Sequence, residues 1–135
     1  MKFHLSIDAD QPEHAAKSLA WICAGEAYPA VEFGLWFVVA DGERGLAIEV
    51  RPRGEALQVP PAANGFSPFT MATHLSEVEL CALGSAAGWP AARRSRGRYH
   101  VVELWIENRI MIEVLTPQMQ ADYVAASTPL VRRAA

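Results

Sequence analysis

Charge is scarce in this chain, and cysteine is scarcer. Only 20% of the 135 residues are Asp, Glu, Lys or Arg while 51% are hydrophobic, so the chain has too little charge to stay disordered and enough apolar matter to build a core. Twelve Lys and Arg against fifteen Asp and Glu leave a net charge of −3, which offers no general attraction to nucleic-acid phosphates or anionic lipid. Neither nucleic acid nor a membrane is an expected partner. Two cysteines, Cys23 and Cys81, are too few for a disulfide scaffold, and within apolar helical stretches they read as reduced thiols. No apolar run approaches the ~18 residues of a membrane span, and Lys2, His4, Asp8 and Asp10 interrupt the first ten positions. A cytoplasmic protein of one domain, or of two very small ones sharing a core, is expected.

The alternation in Lys2-Phe3-His4-Leu5-Ser6-Ile7-Asp8 predicts a half-buried strand with Phe3, Leu5 and Ile7 inward. Asp10 stands three residues before Glu13, the spacing of a capping box, with Pro12 in the first turn where its missing N–H is harmless. A helix follows, with Ala15, Leu19, Ile22 and Cys23 on one face and a stop at Gly25 and Pro29. An extended piece is expected around Val31–Phe33. Two strands, Leu35–Ala40 and Gly45–Val50, flank Asp41-Gly42-Glu43-Arg44 as a hairpin. The stretch 58–68, with Pro60, Pro61, Asn64, Gly65 and Pro68, has no periodicity and reads as a linker.

Beyond the linker the signals recur. His74-Leu75-Ser76 matches His4-Leu5-Ser6, Ser76 and Glu79 match Asp10 and Glu13, Gly88 and Pro90 match Gly25 and Pro29, and Ile112-Glu113-Val114 matches Ile48-Glu49-Val50. The pattern predicts two β-α-β-β-β modules over residues 1–57 and 69–122, with a C-terminal tail at 123–135, helical over Gln118–Ala126 and frayed at Arg132-Arg133. Strand parity turns Glu49 and Glu113 away from the helix-packed face, and His4 and His74 with them. Two imidazoles and two carboxylates are good donors for a borderline or hard divalent ion, and four such ligands in an octahedral field leave two positions for water or substrate.

With these residues in place, the chain resembles the vicinal oxygen chelate superfamily, which includes glyoxalase I, extradiol dioxygenases and the bleomycin- and fosfomycin-resistance proteins. The resemblance covers nearly the whole chain. It implies an α+β fold in which paired βαβββ modules form a curved, cup-shaped mixed sheet with helices outside. It also implies a metal held by first-strand residues His4 and His74 and last-strand residues Glu49 and Glu113. The order His, Glu, His, Glu is most similar to glyoxalase I, which implies nickel or zinc, with iron or manganese as alternatives, and a metal-bound glutamate that also moves a proton. Ile7-Asp8-Ala9 stands where glutathione-using members carry an Arg, and Glu107-Asn108-Arg109 replaces an Asp-Pro-x-Gly turn, so the resemblance bears on fold and metal rather than on glutathione.

Glu103, in Val101-Val102-Glu103-Leu104-Trp105, is a second candidate acid or base. It shares the face of Glu113 if the turn at 107–109 holds three residues and points away if the turn holds two. Trp36 and Trp105 are candidates for lining an apolar pocket, with core or dimer packing as the alternative. Arg93, Arg94, Arg96 and Arg98 read as a charged guard on an edge strand. The resulting expectation is a metal-dependent isomerase or lyase, a homodimer, acting on a small oxygenated substrate with Glu113 or Glu103 as the proton carrier. The alternatives are a non-enzymatic binding protein of the bleomycin-resistance type and an iron protein using oxygen.

Overall fold

The alternating N-terminal segment forms strand β1 (Phe3–Ala9), and helix α1 (Pro12–Cys23) crosses from it to β2 (Glu26–Pro29), β3 (Trp36–Ala40) and β4 (Leu46–Pro52). The structure, a computed structural model, describes residues 3–31, 34–40, 45–54 and 69–134. It divides into two units, Met1–Ser67 and Pro68–Ala135. In the first, β1 pairs parallel with β4, and β4 and β2 flank β3 antiparallel, giving the order β1-β4-β3-β2. Ala15, Ala16, Leu19 and Ile22 of α1 are buried, as are Val38, Ile48 and Val50 of the sheet.

The start of the first unit differs locally from expectation. Gln11 is the N-cap of α1 and makes no side-chain cap bond; Asp10 lies one residue outside the helix and its carboxylate pairs with Arg53 at 3.4 Å. Pro12 does occupy the first turn. A strand forms at Glu26–Pro29 because the chain turns at once after α1; of the extended piece expected around Val31–Phe33, residues 32 and 33 lie outside the described residues. Ala24 adopts a left-handed cap with φ 52°, and a Cβ on Gly25 would stand 2.5 Å from the Val39 carbonyl oxygen. Only glycine allows that approach, and it brings Glu26 opposite Val39. Val31 is exposed in a bend. The turn at 41–44 and the linker at 58–68 lie outside the described residues.

The second unit repeats the topology with β5 (Phe69–Ala72), α2 (Glu77–Ala87), β6 (Ala91–Ser95), β7 (His100–Ile106) and β8 (Ile110–Leu115), in the order β5-β8-β7-β6. Two βαβββ modules are thus present, as the repeated signals predict. The Ser76–Glu79 capping box closes in both directions at 3.2 Å. Helix α3 (Pro117–Ala134) runs past the expected end at Ala126 and through Arg132-Arg133, a stretch containing the strong helix formers Leu130, Arg132 and Arg133. It packs against β7 and β8, and the Gln120 side-chain amide donates to the Thr73 and Leu115 carbonyls at 2.8 Å each. Cys23 and Cys81 are not joined in a disulfide. Among the described residues no helix is long and apolar enough to cross a membrane.

Helix α2 meets its sheet through Gly84, where an added Cβ would lie 2.8 Å from the Trp89 carbonyl oxygen and 3.1 Å from Leu104 Cδ1. In an isolated helix Gly→Ala gains about 1 kcal/mol; here the methyl meets backbone, and overpacking costs about 1–3 kcal/mol. Gly84→Ala is therefore expected to lower the urea midpoint, and a raised midpoint would show that α2 can shift away from the sheet without loss.

Candidate functional site

In the first unit the β1–β4 register places Ser6 opposite Glu49, and the β3–β4 register places Phe37 opposite Glu49 on the other side. His4, Ser6, Phe37 and Glu49 consequently share the face turned away from α1. His4 Nε2 lies 3.4 Å from Glu49 Oε2, and the His4 ring meets the Phe37 ring edge-on with centroids 6.5 Å apart. Glu49 is 6% exposed. Arg51 Nε touches Glu49 Oε1, but Oε1 accepts no hydrogen bond of good geometry. A buried carboxylate with an unsatisfied oxygen is costly unless a charge or donor compensates it. His4 and Arg51 are half-exposed by comparison.

In the second unit the turn at 107–109 holds three residues: Ile106 pairs with Ile110, Glu107 and Asn108 have φ of 51° and 57°, and the Arg109 N–H donates to the Ile106 carbonyl at 3.0 Å. Glu103 therefore stands directly opposite Glu113, on one face of two neighbouring strands. Both side chains are mostly buried, 18% and 15% exposed. Directly opposed like charges repel, and here the Arg96 guanidinium lies between them: Nη2 is 2.8 Å from Glu103 Oε2 and 3.5 Å from Glu113 Oε1. Arg94 Nε adds a contact to Glu103 Oε1 at 3.6 Å. The hydrogen bond to Glu103 holds Arg96 above the usual arginine range, partial burial acts against it, and the charge of Glu113 reinforces it. Arg96 stays cationic.

The two candidate tryptophans part company. Trp105 pairs with Met111 and alternates with Glu103's neighbours so as to share the Glu103 face. Trp36 pairs with Val50 and lies on the α1 side, where Lys17 Nζ sits 5.6 Å from its ring centroid. The structural counterpart of Trp36 is Val102, which pairs with Val114 as Trp36 pairs with Val50; Trp105 corresponds to Val39. Trp36 is thus a helix-side residue and not a lining of the carboxylate face.

His74 also moves. Ser6 opposes Glu49 and Thr70 opposes Glu113, so Thr70 is the counterpart of Ser6, and His74 falls two residues past the end of β5, exposed in the turn before Ser76. The matching His-Leu-Ser tripeptides occupy different structures: Ser6 is within a strand, Ser76 is a helix N-cap. First-strand placement holds for His4 and not for His74. Within either unit, among the described residues, no three His, Cys, Asp or Glu side chains stand close enough to share an ion.

The arginine cluster is only partly an edge guard. Arg93 on edge strand β6 pairs with Glu77 of α2 at 3.3 Å, whereas Arg94 and Arg96 belong to the carboxylate face. Strand parity alone puts Arg94 there once β6 is paired; Arg96 lies in the turn after β6, where no periodicity forecasts its reach.

The fold so built is that of the vicinal oxygen chelate superfamily, as the sequence resemblance implies. The fosfomycin resistance protein FosX of Listeria monocytogenes has a similar structure, with TM-score 0.58, 16% identity, and 82% of this chain and 86% of that one covered. A mutant of the same protein complexed with Mn(II) and 1S,2S-dihydroxypropylphosphonic acid aligns with TM-score 0.56 and 16% identity, covering 82% and 85%. A glyoxylase/bleomycin resistance protein/dioxygenase domain from Frankia sp. EAN1pec aligns with TM-score 0.54 and 10% identity, covering 85% and 94%. No protein-family model and no curated protein matches the sequence.

Proposed function

We propose that this protein is a divalent-metal-dependent enzyme of the vicinal oxygen chelate type, an isomerase or lyase acting on a small oxygenated substrate. The observation that carries the reading is Glu49: a nearly inaccessible carboxylate on the helix-free face, with the His4 imidazole beside one oxygen and Arg51 against the other. Imidazole and carboxylate are the donors that nickel, zinc, manganese and iron accept, so His4 and Glu49 are two donors of the right kind, 3.4 Å apart. The likeness of fold to a protein crystallised with Mn(II) supports the same reading.

His4 and Glu49 are the proposed ligands within the first unit, and Glu113 is the proposed ligand within the second. His74, carried by a turn, is the fourth candidate. A divalent ion held there would supply Lewis-acid stabilisation of negative charge on a substrate oxygen. Glu103 is the proposed proton carrier: it opposes Glu113, and Arg96 holds it in place. Trp105 would supply apolar surface on the same face. A cytoplasmic homodimer belongs to the same reading.

Metal analysis of purified, untagged protein tests this. Stoichiometric nickel, zinc, manganese or iron is expected, with loss of the ion in His4→Ala and in Glu113→Gln. Wild-type protein that arrives empty and takes up none of these ions on addition overturns the reading. It would favour instead a non-enzymatic binding protein of the bleomycin-resistance type, for which the Arg96 neutralisation of both second-unit carboxylates is the supporting observation.

A further inference from the structure

Strand β6 (Ala91–Ser95) ends the second sheet, paired with β7 on one side and with no strand on the other among the described residues. In an antiparallel ladder alternate residues bond the neighbouring strand, and those between them turn N–H and C=O the opposite way. The Arg96 N–H donates to the Tyr99 carbonyl at 2.8 Å and the Trp105 N–H to the Pro90 carbonyl at 2.9 Å, so Ala92 and Arg94, in step with 90 and 96, are the β6 residues bonded to β7. Ala91, Arg93 and Ser95 therefore turn their main-chain groups outward, and the strand is exposed from Arg93 to Ser95.

That edge is unequal in donors and acceptors. Arg94 Nη1 donates to the Arg93 carbonyl at 3.3 Å and Arg96 Nη1 to the Ser95 carbonyl at 3.2 Å, so guanidinium already covers two outward carbonyls. The N–H groups of Ala91, Arg93 and Ser95 have no acceptor among the described residues, and successive ones stand about 7 Å apart. Arginine dominates the surroundings. Arg93 and Arg94 are exposed, the Arg93–Glu77 pair joins two solvent-facing groups at 3.3 Å, a kind of contact that holds weakly, and the exposed Arg98 has no ion pair among the described residues.

We propose that the outer edge of β6 docks an extended, acidic segment of a partner protein, which joins the sheet as a further strand. Its main-chain carbonyls, recurring at the same spacing, accept from the N–H groups of Ala91, Arg93 and Ser95, while its Asp or Glu side chains meet Arg93, Arg94 and Arg98. The same arginines turn away neutral and basic strands. A second copy of β6 is a poor occupant, because it would set arginine against arginine across the new ladder. Opposite charge is what this edge selects.

Fluorescence anisotropy of a labelled, capped peptide alternating Glu with Thr, beside the same peptide with Lys for Glu, tests the proposal. Saturable binding of the acidic peptide alone is expected, weakening as salt is added. Ser95→Pro removes one outward N–H and no bond to β7, and is expected to bind about threefold to tenfold more weakly. Arg93→Glu is expected to weaken binding about tenfold. Hydrogen exchange of the Ala91, Arg93 and Ser95 amides, followed by NMR on the wild-type chain, needs no variant and is expected to slow at least about tenfold with peptide bound. No binding, equal binding of both peptides, unprotected amides at these positions, or a folded Ser95→Pro that binds as wild type overturns the proposal. So does equally tight binding of a single-stranded oligonucleotide, which would make the edge a general polyanion site.

Discussion

Glu49→Leu is expected to give a protein at least as stable as wild type that no longer retains a divalent ion. Glu49 occupies β4 between β1 and β3, is 6% exposed, and has Ser6 and Phe37 as its cross-strand neighbours. An ionised carboxylate in that position carries a desolvation cost which a well-placed hydrophobic side chain of similar volume does not. Removing one member of a buried ion pair is normally destabilising because the other is stranded, but His4 and Arg51 are each half-exposed and can return to water. The balance therefore falls between neutral and a gain of about 1 kcal/mol, at the low end of what replacing buried ion pairs with apolar residues yields. Urea denaturation and metal analysis on the same preparation measure both sides. A loss of more than about 1 kcal/mol would show that the carboxylate anchors the sheet, and would remove the main reason for regarding Glu49 as a ligand.

Leu104→Ala should be the most damaging single change in the second unit. Leu104 is fully buried on the helix side of β7, opposite Ile112, and Leu80, Val102 and Val114 are likewise inaccessible. Its Cδ1 lies 3.1 Å from where a Gly84 Cβ would be, so it sits at the point where α2 comes nearest the sheet. Truncation loses the transfer energy of the side chain and leaves a cavity that a rigid helix–sheet contact cannot collapse, together about 2–5 kcal/mol. Against a typical total of about 5–15 kcal/mol that is a large share. A shift of less than about 1 kcal/mol in the unfolding free energy would mean that α2 settles onto the sheet through other residues.

Much of this was legible before any coordinates. Alternation in Phe3–Ala9 and in Ile110–Leu115 marks strands and turns Glu49 and Glu113 away from the helices, because side-chain period in a strand is a local property, although burial does not follow it strictly: Leu5 and Ile7 are half-buried, and Met111 and Leu115 are buried on the other face. The Ser76–Glu79 spacing yields a real capping box, while the same spacing at Asp10–Glu13 does not, because the helix begins one residue later and Arg53 takes the Asp10 carboxylate. The strand directly after α1, Glu26–Pro29, has no periodic signal in the sequence: Gly25 matters for the backbone it lets approach, and Val39 lies fourteen positions away in sequence.

The histidine repeat shows the limit more sharply. His4 and His74 share a tripeptide, yet only pairing with β4 and β8 shows that Thr70, not His74, is the counterpart of a β1 residue on the open face. Trp36 and Trp105 likewise look equivalent by position and are separated by one step of strand parity. The three-residue turn at 107–109 was the hinge of the Glu103 question, and its length is set by the Ile106–Ile110 pairing rather than by composition.

The chain alone determined the class of fold, the duplication and the alternation within each strand, since period, capping and turn chemistry act over a few neighbouring positions. Tertiary pairing decided which of those faces carry opposed carboxylates, that Arg96 joins them, and that His74 stands off the strand. Register and side-chain reach depend on contacts between segments far apart in sequence, and those are settled only when the sheet closes its hydrogen bonds.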